Sequence, residues 1–120
     1  MIIRDLRKTK EFISGDGAVL KELFNPLKDH LELRYSIAHA VVRPGRRTHP
    51  HKLKTSEVYY ILQGKGIMHV DQEAEAVRAG QAVYVPPNSV QFIENSGKVD
   101  CIFLCLVDPA WRPENEEILI

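Results

Sequence analysis

The chain has 120 residues, 44% of them hydrophobic and 27% charged, the profile of one ordinary globular domain. Sixteen basic residues balance sixteen acidic ones, so no bulk charge argues for nucleic acid or an anionic membrane as partner. No apolar run reaches the length of a membrane span, and Met1-Ile2-Ile3-Arg4-Asp5 turns charged too early for a secretory signal core, so a cytoplasmic protein is expected.

Residues 1 to about 30 are the least patterned and are read as an N-terminal arm. Ser14-Gly15-Asp16-Gly17 is a turn signal. Val19, Leu20, Leu23 and Phe24 fit a helical stripe ended by Pro26, or equally a short strand followed by an extended arm. From residue 31 the pattern becomes strand-like. Leu31, Leu33, Tyr35, Ile37 and His39 alternate with Glu32, Arg34, Ser36 and Ala38, and the strand continues through Val42 to a turn at Pro44-Gly45. Further strands are predicted over 57–62, 67–70, 74–77, 81–85, 90–93 and 101–107. The turns Gln63–Gly66, Asp71–Glu73, Ala79-Gly80, Pro86–Ser89 and Asn95–Gly97 separate them. The tail from residue 108 is polar and acidic, and Glu114–Glu117 is read as the start of one helical turn.

Many short strands at close spacing predict an all-β sandwich or barrel in a single domain. The barrel proper is expected over 31–107, followed by a tail over 108–120. Cys101 and Cys105 lie four residues apart on the last long strand. Their Cα atoms would stand about 13 Å apart there, too far for a disulfide. Both are read as reduced, buried small hydrophobes, as a reducing compartment requires.

Chemistry concentrates between residues 49 and 57. His49 and His51 are two apart, so on an extended chain their imidazoles share a face and can grip one metal ion. Glu57 opens the next apolar run and can add a carboxylate, leaving coordination positions open. The bland alternative is an exposed polar loop, Lys52–Ser56, with two incidental histidines. His30, His39 and His69 show no site pattern. Arg43, Arg46 and Arg47 either belong to a solvated turn or pair with an anionic substrate near the metal. Trp111 either folds over a barrel mouth or packs on a second subunit.

The run Pro44-Gly45-x3-His49-x-His51-x5-Glu57-x6-Gly64 resembles the first motif of the cupin superfamily, with Glu57–Gly64 a close match to its second half. Gly80-x5-Pro86-x-Asn88-x2-Gln91-x3-Asn95 resembles the second motif at Gly80, Pro86 and Asn95. The resemblance covers roughly residues 36 to 107. Gly45 stands about two residues closer to the first histidine than the pattern has it. The gap from His51 to Glu57 is longer than usual by one or two residues. Gln91 stands where the pattern has histidine, and Asn88 where it has glycine.

The resemblance implies a jelly-roll β-barrel with one divalent metal ion near a mouth, held by His49, His51, Glu57 and Gln91. Fe, Mn, Zn and Ni are not distinguished. Gln91 either ligates through its amide oxygen, orients a water or substrate from behind, or marks a site that has lost its metal. Strand parity puts Tyr59 and Ile61 inside with Glu57, and Ile93 with Gln91. Tyr35, Met68, Tyr84, Phe103 and Cys105 are further lining candidates. The function implied is a small-molecule metalloenzyme (dioxygenase, decarboxylase, lyase or isomerase) acting on a carboxylic acid or sugar. The alternatives are a non-catalytic binding or sensor protein, and a metal-free barrel that associates with other proteins. Tyr59, Tyr84 and His69 are the candidate catalytic side chains. A homodimer with exchanged N-terminal strands is also implied.

Overall fold

Alternation of burial along the central strands organises this chain into two facing sheets. The computed structural model describes residues 1–119. Its strands are β1 (Phe12–Ile13), β2 (Val19–Phe24), β3 (Ser36–Val42), β4 (His51–Leu53), β5 (Ser56–Gln63), β6 (Lys65–Val70), β7 (Glu73–Arg78), β8 (Ala82–Val85), β9 (Gln91–Glu94), β10 (Cys101–Asp108) and β11 (Glu116–Ile118). The order β1-β2-β3-β10-β5-β8 makes a six-stranded sheet, and β11-β4-β9-β6-β7 a five-stranded one. All the strand pairings are antiparallel. This is the jelly-roll β-barrel that the motifs imply. No helix among the described residues is long and apolar enough to cross a membrane.

Each central strand buries every second residue. Cys101, Phe103, Cys105 and Val107 of β10 point inward, as do Ala38, Ala40 and Val42 of β3 and Tyr59 and Ile61 of β5. From the facing sheet, Met68, Val77 and Ile93 complete the core, with Val85 of β8 beside them. The Tyr59 ring stacks on Phe103 at 5.1 Å between centroids. Both cysteines are buried free thiols. The Gly64 turn is required sterically: its φ is +81°, and a Cβ there would stand 2.7 Å from the Asp100 carbonyl oxygen. Asn88, in place of a glycine, adopts φ 65°.

Three expectations change. Residues 31–35 are not strand; β3 starts at Ser36, and Tyr35 is 42% exposed rather than inside. The undecided segment 19–24 is a strand, and β1 and β2 extend the six-stranded sheet of their own chain. A single α-helical turn, α1 (Pro26–Asp29), follows, with Asn25 capping it through a bond from the Leu27 N–H. The tail holds a 3-10 turn at Pro113–Asn115 and then β11, which pairs with β4.

Candidate functional site

One mouth of the barrel holds a cavity of about 190 Å³. Its floor comes from inward positions of β3, β4, β5 and β10, including Ala38, His51, Glu57 and Cys105. Its rim comes from the ends of the chain: the Ser14–Asp16 turn on one side, Trp111 and Glu116 on the other. Trp111 is fixed over this mouth by its backbone. Its N–H donates to the Ser36 hydroxyl at 2.9 Å, and its carbonyl accepts from the Asn25 amide at 2.9 Å. Its indole N–H reaches Glu116 at 3.4 Å.

Strand register brings three of the four expected ligands together. His51 pairs directly with Gln91 across β4 and β9, and both are buried. Glu57 enters from the opposite sheet and is 6% exposed. The His51 ring is oriented by its Nδ1, which lies 2.7 Å from the His49 carbonyl oxygen. A carbonyl only accepts, so Nδ1 carries a proton and donates it, leaving Nε2 to face the cavity. A backbone partner on the far ring nitrogen is the usual support of a metal-binding histidine. Nε2 stands 3.5 Å from a carboxylate oxygen of Asp16.

Glu57 is the electrostatic anomaly. Its Oε1 is buried without any hydrogen-bond partner. Burial, and then the negative charges of Asp16 and Glu116, push its carboxyl up to about 8, with neighbouring Gln91 and Cys105 offsetting part of this. Burial also pushes the Tyr59 phenol and the Cys105 thiol up, and raises Glu116 against the pull of His51. Tyr59 donates its hydroxyl hydrogen to the Gln91 amide oxygen at 2.5 Å. A phenol can equally accept, so turning the amide over would release that oxygen on the side of its neighbours His51 and Glu57 while its NH2 bonds Tyr59; Gln91 itself does not line the cavity.

The donor chemistry fits a divalent cation in part. An imidazole nitrogen, a buried orphaned carboxylate oxygen and an amide converge, and a positive charge among them would relieve the crowding of Glu57, Asp16 and Glu116. The full set that the motif implies does not assemble. His49 is exposed, its ring packs at 3.5 Å over the position a Gly17 side chain would take, and it does not line the cavity. Among the described residues, no three His, Cys, Asp or Glu side chains stand close enough to clasp an ion as they lie.

Two of the three catalytic candidates are displaced. Tyr84 pairs with Val58, on the outer face of the six-stranded sheet, and is 63% exposed. His69 pairs with Phe92 on the outer face, stacks on that ring at 4.0 Å and bonds Glu94 at 3.0 Å. Register explains both: their neighbours Val85 and Met68 take the inward positions. Tyr59 is inside, behind Gln91. The arginines also stay outside the cavity: Arg43 pairs with Asp100 at 2.7 Å, and Arg47 lies over the Phe92 ring. Sequence reasoning missed Asp16 and Glu116 as rim residues, because both come from segments remote from the motifs. The Ser-Gly-Asp-Gly turn was the only available signal for Asp16.

Comparison with known proteins agrees with this architecture. The family model described as a cupin domain matches residues 38–107. An uncharacterized protein of Methanocaldococcus jannaschii is 40% identical over 113 residues, covering 93% of this chain and 90% of its own length. An oxalate-binding protein of Thermotoga maritima is 30% identical over 113 residues, covering 89% of this chain and 93% of its own. Among solved structures, a predicted oxalate decarboxylase of Thermotoga maritima superposes with TM-score 0.79 at 21% identity, covering 90% of this chain and 99% of that one. The polyketide cyclase RemF of Streptomyces resistomycificus superposes with TM-score 0.82 at 20% identity, covering 100% and 86%.

Proposed function

The chain belongs to the cupin family, and we propose that it binds a small polar molecule of the carboxylic-acid or sugar type at one divalent metal ion in the mouth cavity. The observation that carries this reading is the orphaned Glu57 Oε1, buried in the cavity floor that it shares with His51. Ionising a buried carboxyl that has no partner costs several kcal/mol, and a bound cation offsets that cost. His51 and Glu57 are the core ligands, with the Gln91 amide oxygen available once the amide turns over. When bound, the ion supplies positive charge that carboxylate or hydroxyl oxygens of a ligand complete.

The chain's own residues define the rest. A cavity of about 190 Å³ is small beside the roughly 300–1,000 Å³ of sites for drug-sized molecules, which suits a ligand of few atoms. Phe12, Leu20, Leu53 and Trp111 give it apolar walls that limit water. A bare dianion would meet Asp16, Glu57 and Glu116, so acid binding depends on the ion. Binding is favoured over turnover because Tyr84 and His69 lie outside and Tyr59 sits behind Gln91. The 30% identical relative described as an oxalate-binding protein supports the same choice.

Isothermal titration with a panel of small acids, oxalate included, and of sugars tests this reading, run with Mn2+ and with EDTA. Metal-dependent binding that is lost in His51→Ala and in Glu57→Gln is expected. Equal binding in EDTA, or in both variants, overturns it. Product formation with any member of the panel would replace the binding reading by a decarboxylase, dioxygenase, lyase or isomerase. A cytoplasmic homodimer belongs to the same proposal; exposed Tyr60, Leu62 and Tyr84 near the free edge strand β8 support it. Sedimentation as a monomer at micromolar concentration would remove the dimer.

A further inference from the structure

We infer that Asp16, from the N-terminal turn, takes the ligand position that the motif assigns to His49. This rests on the metal reading above and names the protein groups that complete that site. Two bonds within the turn hold Asp16. Its Oδ1 accepts from the Ala18 N–H at 3.1 Å and, in a close contact, from the Ser14 hydroxyl. Oδ1 is thereby occupied on the turn side, and Oδ2 is left facing His51 Nε2 at 3.5 Å.

His51 cannot serve as an ordinary donor to both neighbours without carrying two protons, since Nδ1 already donates to the His49 carbonyl. Nε2 and the facing Asp16 oxygen are satisfied either by a second proton on the ring or by a shared cation, and only the cation also takes in Glu57. The second, independent observation is Glu57, 6% exposed, whose Oε1 has no partner and which lines the same cavity as Asp16 and His51. Asp16, Glu57 and His51 line one cavity without clasping an ion as they lie, so the inferred site closes through side-chain rearrangement of the kind common on ligand binding.

His49 is committed elsewhere. Its N–H donates to the Asp16 carbonyl at 2.6 Å, so its backbone anchors the turn that carries Asp16. Its ring lies outside, over Gly17, whose φ of +93° lets the turn pass beneath. In this arrangement His49 positions two ligands through its backbone, holding the His51 ring by its carbonyl and the Asp16 turn by its N–H. The resulting set is one imidazole, two carboxylates and an amide oxygen. Such an oxygen-rich set suits a harder ion such as Mn2+ better than a multi-histidine set does.

Mn2+ titration followed by the EPR signal of free Mn2+ tests this, with thermal unfolding in EDTA as the check on folding. Asp16→Asn keeps an oxygen for the turn bonds and removes the charge. It should weaken Mn2+ binding at least about 10-fold, as loss of a ligand or its close support does. His49→Ala keeps both backbone bonds and should stay within about 2-fold of wild type, well below that ligand-loss range. Wild-type affinity in Asp16→Asn, with loss in His51→Ala, overturns the Asp16 assignment and leaves the metal reading standing. Wild-type affinity in His51→Ala and Glu57→Gln overturns the metal reading itself. Should Asp16→Asn fail to fold in EDTA, His49→Ala decides: a loss of about 10-fold or more, the size expected of a ligand, returns His49 to the site.

Discussion

Replacing Glu57 by glutamine should stabilise the metal-free protein at neutral pH and leave it unchanged in acid. The Glu57 carboxyl is held up to about 8, against an ordinary 4.5, by burial and by the charges of Asp16 and Glu116. An acid raised in this way binds its proton more tightly in the folded chain than in the unfolded one. Between about 4.5 and about 8 the folded state therefore carries more protons, and stability falls as pH rises through that window. At pH 7 the unfolded chain has gained about 2.5 pH units of ionisation free energy, or roughly 3 kcal/mol at about 1.4 kcal/mol per unit. Glutamine has the same shape and no proton to lose. In EDTA, Glu57→Gln should match wild type near pH 4 and exceed it at pH 7 by up to roughly 3 kcal/mol, or roughly 10 °C in Tm for a chain this size. Urea unfolding and thermal melts across pH 4 to 8 measure both. A variant no more stable at pH 7, with the wild-type pH slope retained, would refute the reasoning.

Tyr59→Phe removes the hydroxyl that bonds the buried Gln91 amide and should cost about 1–3 kcal/mol in urea unfolding, the penalty of a buried polar group left unpaired. Phe103→Ala opens the core beneath Tyr59 and should cost about 3–5 kcal/mol in the same assay. Tyr84→Phe and His69→Ala alter only the outer face, so Mn2+ affinity should stay within about 2-fold of wild type, well short of the 10–100-fold that site residues command.

The barrel was readable because its central strands alternate cleanly. Cys101, Phe103, Cys105 and Val107 face in while Ile102, Leu104 and Leu106 face out, and the β5 parity placed Glu57, Tyr59 and Ile61 together. Tyr84, a lining candidate that no parity argument placed, faces out, because the β8–β5 register decides which residues of that short strand face in. Alternation of residue type overextended β3, since Leu31–Tyr35 alternates without having a strand to pair with. Residues 19–24 were ambiguous for a physical reason: all six are half-buried, so neither a strand nor a helix period stands out. The site was legible to the extent that it lies on motif strands, in His51, Glu57 and Gln91. The His49–His51 spacing implied one shared face, but β4 begins only at His51, so the face-sharing argument does not reach His49. Asp16 and Glu116 reach the cavity through tertiary packing of the chain ends, which no local pattern encodes.

The most direct test of the metal-binding account is the metal content of protein purified without an affinity tag, measured by inductively coupled plasma mass spectrometry on wild type and on His51→Ala/Glu57→Gln. About one equivalent of a divalent metal per chain in the wild type, absent from the double variant, is the result expected. Equal metal in both proteins, or a wild type that takes up none when offered Mn2+, would contradict it.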